Sequence, residues 1–137
     1  MSDLNIPKEV LDAFEIRDEI ILLPGGQGTT YRVGNLVLKP VQDAVEAQWI
    51  AELQLCLGRI ANPAYRIAEP VAAKSSGSLT YVVGGWCATK FIPGIDGPGD
   101  RWKHMLRVVS ALHNDLKQVV LCQTRNSLAH SNCQLVQ

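Results

Sequence analysis

Stretches of period two and period 3.6 follow one another along the chain, and the breakers between them set the order of elements. Ile6, Val10, Leu11 and Phe14 recur at helical spacing behind a proline suited to a first turn, which predicts a short helix over Pro7–Phe14. Glu19–Leu23 is an apolar run closed by Pro24-Gly25-Gly26, and Thr29–Val33 is β-branched and aromatic. Gly34-Asn35 then turns the chain into Leu36–Pro40, so three short antiparallel strands are predicted. Residues 43–57 change to the helical period, with Val45, Trp49, Ile50, Leu53, Cys56 and Leu57 on one face and Gly58 as the stop. That face predicts a helix packed on the sheet.

Further strands are expected over Ile67–Ala73, Leu79–Val83 and Trp86–Ile92, with Lys74–Ser78 as a polar turn. The segment Pro93-Gly-Ile-Asp-Gly-Pro-Gly99 is the strongest breaker in the chain and reads as a linker. Behind it Asp100 can cap a helix reaching about Lys117, whose stripe is Trp102, Met105, Leu106, Val109, Leu112, His113 and Leu116. From Val119 onward no period is sustained, and an irregular tail is predicted. The expected organisation is a sheet-and-helix unit over 1–93, a linker and helix over 94–117, and the tail over 118–137.

Composition narrows the function classes. The chain has 137 residues, enough for one domain with a real core, and 47% of them are hydrophobic. Thirteen Lys and Arg balance thirteen Asp and Glu. Bulk charge therefore offers no drive toward nucleic acid or an anionic membrane. No apolar run reaches the roughly 20 residues of a membrane helix, and the N-terminus lacks a signal-peptide pattern, which predicts a cytoplasmic protein. The cysteines Cys56, Cys87, Cys122 and Cys133 lack zinc-ribbon spacing, so reduced thiols are expected. His130 with Cys122 and Cys133 supplies too few ligands on a polar tail to predict zinc.

The candidate chemistry lies around "GGQG". Gly25, Gly26 and Gly28 fall between two strands rather than before a helix, which excludes a dinucleotide-binding fingerprint, and the Gly-Lys-Ser/Thr ending of a P-loop is absent. A glycine turn between strands with a lysine one strand later can bring backbone N–H groups and one ammonium to a phosphate. Lys39 follows Leu36-Val37-Leu38 in a strand apolar enough that both faces are expected to be covered, and a lysine there needs an anion. Glu46 falls near the centre of the apolar stripe of the 43–57 helix, facing the sheet. Two partners compete for it: the helix N-terminus, in a capping box begun by Asp43, and Lys39.

Taken together, "LPGGQGTTYRVGNLVLKP", "VEAQWIAEL", "GGWCATKFIPG" and "RWKHMLRVVSALH" resemble the N-terminal lobe of aminoglycoside-phosphotransferase-like proteins of the kinase-like superfamily, over about residues 5–117. The resemblance implies an α+β fold: a protein-kinase-like N-terminal lobe with a five- to six-stranded antiparallel sheet, one packed helix, a hinge and a linking helix. It implies that Gly25, Gly26, Gln27 and Gly28 cover the phosphates of ATP, that Lys39 contacts them, and that Glu46 positions Lys39. Val37 would line the pocket, and Lys90, Phe91 and Ile92 would form the hinge that holds the adenine edge.

The same family takes its base and metal ligands from a C-terminal catalytic loop. His113-Asn-Asp115 imitates that loop, but no asparagine stands at the required fifth position after Asp115, and His113 belongs to the helical stripe. Residues 118–137 contain no Asp or Glu, so neither a base nor a magnesium carboxylate can come from them. The expectation is a shortened or partial small-molecule phosphotransferase, inactive alone, with a weak ATP site and no magnesium held by this chain. The alternatives are a non-catalytic module that binds a protein partner, or itself, through an uncovered lobe face, and a small unrelated α+β domain.

Overall fold

The computed structural model describes residues 5–25, 27–74, 79–95 and 99–126, with side chains to residue 119. Among them the chain forms a small α+β fold with a six-stranded antiparallel sheet and three helices. Its contacts group residues 1–52 with 68–93, and 53–67 with 94–137.

The first group is the sheet. Its centre is β3 (Leu36–Pro40) paired with β6 (Trp86–Lys90), in register Leu38↔Ala88 and Lys39↔Cys87. β1 (Ile20–Leu22) and β2 (Tyr31–Val33) extend it beyond β3, while β4 (Pro70–Val71) and β5 (Val82–Val83) share the other edge of β6. Residues opposite one another across an antiparallel ladder share a face, and successive residues alternate. Val33, Leu38, Trp86 and Ala88 therefore point to one side, where they close on Ile6, Val10 and Phe14 from α1 (Lys8–Ala13) and its flanks. Leu38 and Val10 are fully buried there. Each such side chain contributes about 1.5–3 kcal/mol by leaving water.

Two glycines let this face close. Gly84 and Gly85 form the two-residue turn between β5 and β6 with φ of +57° and +79°, the positive pair that a type I′ hairpin needs. A Cβ on Gly84 would lie 2.9 Å from Val10 Cγ2 and 2.7 Å from Glu9 Oε1, so the turn sits hard against α1. The expected strands at 67–73 and 79–83 shorten to β4 and β5 plus one bridge, Ala73↔Thr80. Residues 75–78 of the expected turn lie outside the described residues. β6 ends at Lys90 rather than Ile92, because its partner β3 begins at Leu36, and one bond beyond that pair, Phe91 N–H to Asn35 O, is the last between them.

α2 (Ala44–Ile60) starts on a side-chain cap, with Asp43 Oδ1 accepting from the N–H groups of Val45 and Glu46 at 2.9 and 3.0 Å. The expected single stripe is corrected here. In its first half Val45, Trp49 and Ile50 are exposed, and the sheltered positions are Ala47, Gln48 and Ala51. Gln48 Oε1 accepts from the Tyr81 N–H at 2.9 Å, which holds that side of the helix inward. Gly58 does not stop the helix either. The chain continues to Ile60 and leaves through Ala61 at φ +53°. Interior glycine costs about 1 kcal/mol, which the burial of the adjacent Leu57 offsets.

The second group is helical. Cys56, Leu57 and Val119 form its buried core, with Leu53, Ile60, Ile67, Leu112 and Leu116 packed around them. α3 runs Trp102–Asn126, beginning after Arg101 rather than Asp100 and continuing well past Lys117. The irregular tail expected from residue 118 is thus helical through Asn126, and residues 127–137 lie outside the described residues. The expected stripe divides as in α2: Trp102, Met105, Leu106 and Val109 are exposed, while Leu112 and Leu116 pack inward. His113 is exposed, which corrects its expected place in the stripe.

Candidate functional site

The glycine turn between β1 and β2 is open backbone. Gly25 and Gly28 have φ of +97° and +68°, conformations that disfavour any side chain, and a Cβ on either would meet nothing within 4 Å. Gly28 N–H reaches back to Gly25 O at 3.4 Å, and Gln27 is exposed. Gly26 lies outside the described residues.

Strand alternation places Val37 and Lys39 on the sheet face opposite the Leu38 core. Across the ladders they meet Thr89 and Cys87 from β6, and Val37 meets Arg32 from β2. The expectation that both faces of β3 are covered is overturned: Val37 is half-buried and Lys39 is exposed. The apolar run Leu36–Leu38 arises because one face is core and the other only partly sheltered. Lys39 and Cys87 stand opposite one another across the β3–β6 ladder, and while burial pushes the Cys87 thiol pKa up, the Lys39 ammonium pulls it partly back.

Glu46 does not face the sheet. It sits exposed in the first turn of α2, where its N–H is capped by Asp43, and no ion pair or hydrogen bond joins its carboxylate to Lys39. Of the two partners weighed for it, the helix N-terminus is present only as the Asp43 half of the cap. Small residues at 47 and 51 and the Gln48–Tyr81 bond fix the helix with a different side inward.

Lys90, Phe91 and Ile92, expected to form a hinge, follow at the end of β6. Lys90 pairs with Glu69 at 2.7 Å, and its N–H donates to Glu69 O. The Phe91 N–H is used by Asn35 O. Ile92, half-buried, is the only one of the three whose N–H has no partner among the described residues. The Arg32 guanidinium lies 3.8 Å from the centre of the Phe91 ring, and Arg32 Nε donates to Gly34 O at 3.0 Å.

Three residues on this face escaped the sequence reading: Arg32, Cys87 and Thr89. Thr89 is 9% exposed, and its hydroxyl has no hydrogen-bond partner among the described residues. A buried hydroxyl without a partner costs free energy that a bound polar group would recover. The signal for all three was the alternation of Trp86–Lys90 against Leu36–Pro40, which becomes informative once the register is known.

The His113–Asp115 imitation of a catalytic loop is part of α3. Asp115 Oδ2 accepts from Tyr65 OH at 2.7 Å and Asn62 Nδ2 at 2.9 Å, tying the segment after α2 to α3. The Tyr65 bond, then the Asn62 bond, hold the carboxyl below its usual range, and desolvation followed by the Asp115 bond and charge pushes the Tyr65 phenol up to about 12. Among the described residues no group of three or more His, Cys, Asp or Glu is placed to hold a metal. Compared with family models, with curated proteins and with solved structures, the chain finds no match in any of the three.

Proposed function

We propose that this chain carries the ATP-binding half of a small-molecule phosphotransferase of the kinase-like type and transfers phosphate only when a base and metal carboxylates are supplied from outside residues 5–119. The observation that carries the reading is the partly sheltered sheet face opposite the Leu38 core. Lys39, Val37, Thr89 and Cys87 share it, the glycine turn links the two neighbouring strands, and the Lys90–Ile92 segment leaves from its end. The order of glycine turn, lysine strand, helix, strands, hinge and helix supports the same assignment.

On this reading Lys39 neutralises phosphate charge, the turn offers backbone N–H groups, and Val37 and Thr89 lie under the base and sugar. Glu46 takes no part, so Lys39 is held only by its strand. Positioning and charge stabilisation make up most of phosphoryl-transfer catalysis, and half of each leaves weak binding without turnover.

Titration of ATP with and without magnesium against the purified chain tests this. Lys39→Ala is expected to weaken ATP binding about tenfold, the effect of losing one charge-assisted phosphate contact. Equal affinity of the two proteins sinks the reading. A non-catalytic interaction module is favoured by a separate observation, the exposed apolar residues on the first halves of α2 and α3.

A further inference from the structure

Two helix faces stand open and apolar among the described residues, and they carry opposite charge. On the first half of α2, Val45 (81% exposed), Trp49 and Ile50 are interleaved with exposed Glu46 and Glu52. From Val41 to Gly58 the sequence has three carboxylates, Asp43, Glu46 and Glu52, and no lysine or arginine. On the first half of α3, Trp102, Met105, Leu106 (70% exposed) and Val109 fall at i, i+3, i+4 and i+7, the anchor spacing of a helix that lays one face on a partner. Exposed Lys103 and Arg107 lie beside them, and no Asp or Glu occurs from Arg101 to Asn114.

We propose that these two faces are the complementary halves of one interface whose occupant is a second copy of this chain: the α3 face of one protomer docks on the α2 face of the other. Charge selects this pairing. Two α3 faces would bring cations against cations and two α2 faces carboxylates against carboxylates, whereas α2 against α3 sets Glu46 and Glu52 near Lys103 and Arg107. The lengths match as well. Val45–Glu52 and Trp102–Val109 are each about two helical turns, roughly 10 Å at 1.5 Å per residue. Each carries one tryptophan, the side chain most enriched at interface centres. Further along α3, Leu112, Leu116 and Val119 are packed against Cys56 and Leu57 and are not available to a partner.

The pairing stands apart from the nucleotide reading and is tested by sedimentation velocity across micromolar concentrations. The wild type is expected to sediment as a concentration-dependent dimer, weakened by raising salt from about 0.05 M to about 0.5 M. Glu46→Lys with Glu52→Lys, or Lys103→Glu with Arg107→Glu, should each weaken the dimer about tenfold or more. An equimolar mixture of the two variants should recover it as a heterodimer, since each then meets its opposite charge twice. Glu52 also accepts from Gln48 Nε2 at 3.0 Å, so Glu52→Gln controls for that bond. Trp49→Ala and Trp102→Ala should weaken the dimer without a change of charge, and circular dichroism checks that helix content is kept. A wild type that stays monomeric, variants that associate as the wild type does, a mixture that fails to recover, or a monomer that instead binds anionic vesicles through α3 each overturns the proposal.

Discussion

The two faces of the one sheet are built from the same strands and do opposite work. On the covered face Val33, Leu38, Trp86 and Ala88 close against α1. On the other, partly sheltered face Arg32, Val37, Lys39, Cys87 and Thr89 alternate with them, one residue out of step. Because side chains in a strand alternate with period two, a chain that fixes its register on apolar residues also aligns, at no further cost, whatever stands between them. Stability lives on one face, and any chemistry the sheet performs lives on the other.

Truncation should separate the faces most sharply. Leu38→Ala empties a fully buried site and is expected to cost about 2–5 kcal/mol in denaturant unfolding, whereas Lys39→Ala beside it should cost less than about 0.5 kcal/mol. If the two cost the same, the faces do not differ as described. Next comes Gly84→Ala, which puts a side chain at φ +57° against Val10 and should lose about 1–3 kcal/mol. Gly25→Ala, strained in backbone but open in space, should lose less, and the gap between them measures the contact with α1.

Smaller effects sharpen the partly sheltered face. Burial holds the Cys87 thiol up and the Lys39 ammonium holds it partly down, so Lys39→Ala should raise its pKa and reduce the thiolate present at a given pH. Alkylation rates followed against pH, with Cys87→Ser to identify the signal, should shift to higher pH in the variant; an unchanged or opposite shift breaks the pairing of the two residues. Thr89→Val, which removes a buried unpartnered hydroxyl, should be neutral or gain up to about 1 kcal/mol in stability. Should it also weaken ATP binding, the hydroxyl is a ligand group; a loss of stability instead would mean that the hydroxyl is already bonded.

The same contrast explains which parts of the molecule were legible in advance. Gly34-Asn35 marked a hairpin, and the strands on either side of it followed; Gly84-Gly85, at φ +57° and +79°, showed as a turn only once β5 and β6 were paired. Strand lengths were overestimated at 67–73 and 79–83, where β propensity was present but pairing among the described residues is limited to the edge of β6 and the single Ala73↔Thr80 bridge. Glu46 was misplaced for a different reason. Its angular position on α2 was read from the largest apolar residues, and the side that turned inward was the one carrying Ala47, Ala51 and Gln48. Close approach favoured small residues over large ones. His113 and Asp115 imitated a catalytic loop in sequence, and the helix around them, with Asp115 bonded to Tyr65 and Asn62, makes them part of a structural tie.

By itself the sequence determined which residues share a face: the periods, the turns, the cap at Asp43, and the partnership of Val37 with Lys39 on one side of β3. Tertiary structure alone decided what covers each face. Lys39 became exposed, Thr89 buried and Glu46 free because burial depends on which distant segment arrives opposite, and a local period carries no information about that arrival. The glycine turn and its lysine were therefore visible from the first reading, while the residues that surround the lysine appeared only once β6 had been laid beside β3.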